Sequence, residues 1–90
     1  MLVMLELQEP VNVWTLFKGN TVTPHIFFWQ GRKIKVDTVN LVHTTKEGST
    51  TRYHFSVSSE GNFYRLRFDL SKLKWFLEAV DEDSATYRFQ

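Results

Sequence analysis

The amino-acid sequence predicts an all-β domain: a small antiparallel meander of five or six strands forming a barrel or half-barrel. Three observations carry this expectation. Turn signals recur at short intervals, at Lys18-Gly19-Asn20, Gln30-Gly31, Glu47-Gly48 and Glu60-Gly61. Between them β-branched and aromatic residues dominate, the composition of strands and not of crossover helices. The chain has 90 residues, 42% of them apolar and 16% aromatic. Each buried aromatic removes about 150–250 Å² from water, so one small domain can hold a core without a disulfide or a metal.

The elements come in order. Val11 to Phe17 is the first strand-forming run, and Ile26 to Trp29 the second, with Pro24 placed where a missing N–H is tolerated. Gln30-Gly31 then makes a two-residue hairpin, which sets Trp29 opposite Arg32 and Phe28 opposite Lys33. The third run, Arg32 to Thr44, slips in phase: Ile34 and Val36 are even, Val39 and Leu41 odd. A strand alternates with period two, so the slip predicts a bulge or bend near Asp37-Thr38.

Arg52 to Ser58 and Phe63 to Asp69 alternate cleanly around Glu60-Gly61. That turn pairs Tyr53 with Phe68, Phe55 with Leu66 and Val57 with Tyr64 on the inner face, and His54 with Arg67 and Arg52 with Asp69 on the outer one. Beyond Asp69, Leu70, Leu73, Leu77 and Val80 have helical spacing. A four-residue loop over Leu70–Leu73 instead sets Lys74 against Asp69, Trp75 against Phe68, Leu77 against Leu66 and Glu78 against Arg65. Two apolar and two opposite-charge pairs in one register favour a strand. A short C-terminal helix over 70–80 is the alternative. Residues 1–90 make one domain, with its core at 11–80 and terminal segments at 1–10 and 81–90.

There is no Cys, which removes thiolate metal sites, Cys nucleophiles and a disulfide framework. The apolar start Met1-Leu2-Val3-Met4-Leu5 lacks the pattern of a signal peptide. No run is long enough to span a membrane, and a cytoplasmic protein is expected. His25, His43 and His54 sit on three runs without ligand spacing. No metal and no cofactor are expected. The Ser and Thr clusters fall in loops, and no glycine-rich phosphate loop occurs. The chain is therefore expected not to be an enzyme.

Net charge is +1, unevenly spread: Arg32 to Lys74 holds nine Lys and Arg against four Asp and Glu. Pairing across strands absorbs Arg52 and Arg65. Arg32, Lys33, Lys35 and Arg67 remain, near the aromatics Phe28 and Trp29. Cations beside stacking platforms on a small barrel suit single-stranded nucleic acid, which is the first functional expectation. The second is a protein-interaction or self-associating module, in which Phe63, Phe76 and Val80 share the solvent side of the last hairpin and mark an interface, with Met1 to Leu7, the tail Tyr87-Arg88-Phe89 or another subunit as its cover.

The pattern Phe27-x-Trp29-x-Gly31-Arg32-x-Ile34-x-Val36 resembles that of a family of short bacterial proteins of unknown function. Arg52-Tyr53-x-Phe55-x-Val57, Tyr64-x-Leu66-x-Phe68-Asp69 and Trp75-x-Leu77 extend the resemblance over roughly residues 11–80. Related segments resemble those appended to inactive relatives of translesion DNA polymerases. The resemblance implies DNA-linked biology and carries no catalytic residue over.

Overall fold

A computed structural model describes residues 5–82. The chain forms seven strands: β1 (Leu5–Lys18), β2 (Thr21–Trp29), β3 (Arg32–Lys35), β4 (Thr38–Glu47), β5 (Thr50–Ser59), β6 (Asn62–Asp69) and β7 (Lys74–Asp81). All pairings are antiparallel, in the order β3-β2-β1-β7-β6-β5-β4. The all-β half-barrel expected from the sequence is the fold observed. The seventh strand arises because the third predicted run divides at Val36-Asp37, beside the predicted bend, into β3 and β4.

That division puts consecutive strands on opposite edges of the sheet. A two-residue link can join two edges only if the sheet curls. Val36 N–H donates to His25 O at 2.8 Å and Asp37 N–H to Ser58 O at 2.9 Å, tying the link to β2 on one side and β5 on the other. β1 supplies the rest of the curl by serving two ladders. Its first half, to Val11, pairs with β7, and its second half, from Asn12, pairs with β2. As a result the Phe27 ring on β2 meets the Tyr64 ring on β6 edge-on at 5.2 Å, although β1 and β7 separate those strands in the sheet.

Phe27, Phe55, Val57, Leu66, Phe68 and Leu77 form the centre of the buried inner face. The register of β5 with β6 is the one their alternation predicts. At Glu60-Gly61 both residues take positive φ (48° and 81°), and at Gln30-Gly31 likewise (51° and 71°). This type I′ geometry matches the twist of the flanking strands.

The segment after Asp69 is a strand and not a helix. Asp69 Oδ1 accepts from Ser71 N–H at 3.1 Å, Ser71 Oγ at 2.8 Å and Lys72 N–H at 3.2 Å, closing the four-residue loop. The hydrogen bond from Ser71 outweighs burial and, with the Lys72 amide and Arg52, holds the Asp69 carboxyl below its ordinary value. β7 then pairs with β6 as predicted as far as Leu66 opposite Leu77.

There the ladder slips. Arg65 stands opposite Ala79, leaving Glu78 as the extra residue of a bulge. Val80 therefore turns inward opposite Tyr64 and is 2% exposed. Its expected place on the solvent side is corrected: the period-two count holds only until the bulge. Of the terminal segment 81–90, residues 83–90 lie outside the described part. No helix of the described chain is long and apolar enough to cross a membrane.

Candidate nucleic-acid interface

The outer face of the β1–β2–β3 ladder brings aromatic and cationic side chains together. Two rows cross it: Asn12, Phe28 and Lys33, and Trp14, Ile26 and Lys35. Trp14 is 57% exposed. Its ring meets Phe28 edge-on at 5.8 Å, and Lys33 Nζ lies 5.1 Å from its centroid. No carboxylate occurs in the sequence between Glu9 and Asp37, so none stands on β2, on β3 or on the half of β1 that pairs with β2, whereas Lys18, Arg32, Lys33 and Lys35 do. A bulge at His25 shifts the pairing from Trp14–Ile26 to Thr15–Pro24 and bends the ladder beside the patch.

The six residues singled out for an anionic partner divide. Phe28, Lys33 and Lys35 lie on this face, as their alternation requires. Trp29 points the other way and is 6% exposed, so it presents no stacking surface. Arg32 lies over its ring, with Cζ 5.2 Å from the centroid, and its Nη2 donates to Glu82 Oε2 at 2.7 Å. Tyr64 donates to the same oxygen at 2.6 Å. Burial, reinforced by that carboxylate, pushes the Tyr64 phenol far above its ordinary value.

Arg67 lies on β6, two strands beyond β1, and has an acid after all. The Glu78 bulge swings that carboxylate back over β6, where Arg67 Nη1 donates to Glu78 Oε2 at 3.3 Å and to Gln8 Oε1 at 2.6 Å. Its Cζ sits 4.4 Å from the Phe76 centroid. The patch expected from Phe63, Phe76 and Val80 is thereby dissolved. Val80 is internal, Phe76 lies under Arg67, and Phe63 alone stays open at 46% exposure.

Glu78 is the centre of a second polar cluster. It is buried, and its Oε1 lies 2.8 Å from His54 Nδ1 and 3.3 Å from Arg65 Nε. Burial alone would raise its carboxyl, but the His54 hydrogen bond and the charges of His54, Arg65 and Arg67 outweigh it and hold the group below its ordinary value. His54, expected at the solvent surface, is half-buried. Its Nε2 shares a hydrogen bond with Thr45 Oγ1 at 2.7 Å, and its ring stacks on His43 with centroids 4.6 Å apart. A hydroxyl, an imidazole and a carboxylate in series have the order of a nucleophilic relay. Here Thr45 is exposed on an edge strand and Glu78 is shared with two arginines, so the bonds tie β4, β5, β6 and β7 together. Among the described residues no group of three or more His, Asp or Glu is placed to hold a metal ion.

The fold and this face define a small all-β half-barrel with one aromatic and cationic side. No family model, curated protein or solved structure matches the chain.

Proposed function

We propose that the chain is a binding module for single-stranded nucleic acid and that the outer face of β1–β2–β3 is its contact surface. One observation supports this above the others: an exposed Trp14 against a half-buried Phe28, flanked by Lys33 and Lys35, on paired strand segments that carry no carboxylate from Asn12 to Lys35. Bases of a single strand stack on aromatic side chains while cations take up the phosphates, and this requires neither a deep pocket nor a helix for a groove. Trp14 and Phe28 are the platforms. Lys33 and Lys35 are the phosphate contacts. Arg32, Trp29 and Arg67 take no part, since each is committed elsewhere.

The test is a fluorescence-anisotropy titration with labelled single-stranded DNA and RNA at low and at physiological salt. Saturable binding that weakens steeply with salt is expected. Stacking on one aromatic is worth about 1–3 kcal/mol per base, so Trp14→Ala should weaken binding by roughly 5- to 150-fold while leaving the fold intact. Absence of binding at low salt, or a Trp14→Ala variant that binds as well as the parent, would refute the reading.

A further inference from the structure

Strand edges lie open at several places among the described residues, and those of β3 and β2 are defended. The free edge of β3 is four residues long, and three of those are Arg32, Lys33 and Lys35. β2 extends past the end of β3, and there it carries Pro24 and the bulged His25. Charge, proline and bulges are the devices by which an edge refuses a further strand. The edge of β4 is built differently. After an irregularity at Asn40, the run Leu41-Val42-His43-Thr44-Thr45 has no charged residue, no proline and no glycine. All five residues are exposed, with Leu41 at 58% and Val42 at 49%.

We propose that this edge pairs with the same edge of a second copy of the chain, antiparallel about a two-fold axis near His43. Leu41 and Val42 point to opposite faces of the strand. A molecule resting on either face would cover one of them, whereas a strand added at the edge covers both. A second copy also satisfies the charges. Pairing about His43 lays Leu41 against Thr45 and Val42 against Thr44, an uncharged run on an uncharged run. Lys46 and Glu47 then fall opposite Asn40 and Val39, so no like charges face each other. Such a contact is isologous and closes at two subunits. A ladder of this length sits at the small end of specific interfaces, near about 1,000 Å², so the dimer exchanges with monomer. It joins two seven-stranded sheets into one, with both Trp14 faces on the same side. The inference is independent of the nucleic-acid reading.

Sedimentation equilibrium of the full chain over a wide concentration range tests it. A reversible monomer–dimer equilibrium is expected. Leu41→Lys and His43→Glu, both on the exposed outer side of β4, should each weaken it by about tenfold or more with unchanged circular dichroism. Phe63→Lys, on the outer face of β6, should leave it unchanged. A chain that sediments as a monomer at every concentration overturns the proposal, and so does growth beyond the dimer. A dimer dissolved by Phe63→Lys but not by either β4 variant places the contact on the sheet face and overturns it equally.

Discussion

Replacing Glu78 by Gln removes one charge from the outer face of the half-barrel while keeping shape and one acceptor oxygen. Glu78 is 7% exposed and its carboxylate serves three partners: His54 at 2.8 Å and Arg65 and Arg67 at 3.3 Å. Stripping one partner from a buried ion pair costs about 3–5 kcal/mol when the other is left without compensation. Compensation here is partial. Arg65 has a side chain 36% exposed and can turn to water, so its share is discounted. Arg67 keeps Gln8 and the Phe76 ring, yet its side chain is only 16% exposed and its Nε already lacks a partner among the described residues. The expected cost is about 2–3 kcal/mol, below the full range. For a domain of this size that lowers the melting temperature by roughly 8–24 °C. Urea denaturation at about pH 6 measures it, with the slope m unchanged. The dependence on pH has a fixed sign. The folded carboxyl lies below the unfolded value of about 4.3. Its contribution is therefore complete above that value and is lost as pH falls through the folded one. Gln does not titrate, so the gap between parent and variant should be wide at about pH 6 and narrow progressively below about pH 4. A gap under about 0.5 kcal/mol, or one that narrows as pH rises from 4 to 6, would refute the reasoning.

The same geometry sets four other outcomes. Leu77 is fully buried at the centre of the inner face, and Leu77→Ala should cost about 2–5 kcal/mol in urea titration through the cavity it leaves. Gly61 has φ 81° and open space where a Cβ would stand, so Gly61→Ala should cost about 1–2 kcal/mol from backbone strain alone; a neutral result would mean that the turn relaxes. Trp29 and Trp75 are buried and Trp14 is open, so Trp14→Phe should remove the red-shifted part of the tryptophan emission and shift the remainder to the blue. Lys35→Gln should lower the salt slope of single-strand binding by about 0.7, the amount for one lost phosphate contact.

The parts of this fold legible in the sequence are those where two signals agree. Tyr53, Phe55 and Val57 alternate in step with Tyr64, Leu66 and Phe68, and the Glu60-Gly61 turn demands the same register. Asp69 and Lys74 mark the ends of the next loop. The illegible places are those where a ladder slips. Glu78, His25 and Asn40 leave no turn signal, yet each reverses the parity of the residues after it. At Glu78 that reversal sends Val80 to the inner face and brings an acid beside Arg67, and alternation alone misses both. Trp14 escapes sequence reasoning for another cause. In Val11-Asn12-Val13-Trp14-Thr15-Leu16-Phe17 both faces are apolar, so alternation cannot say which side is buried. The long gap between Glu9 and Asp37 is the available signal, because a surface strand without carboxylates is one that can receive an anion. Lys33 and Lys35 can be found because a tight hairpin leaves a short arm no choice of face.

The double service of β1 has a kinetic consequence. Five of the six ladders join strands adjacent in the chain, and four of these are simple hairpins with two-residue turns, which close within about 1–10 μs. The ladder of β1 with β7 sets Leu5 against Val80, across nearly the whole described chain. Its loop entropy must be met before any of its contacts form. Folding should therefore proceed as two local meanders, β1–β2–β3 and β4–β5–β6–β7, that wait on a single slow zippering. Substitutions along β1 and β7, such as at Leu7 or Val11, should then govern the folding rate, while those in the β4–β5 arm should be felt mainly in unfolding.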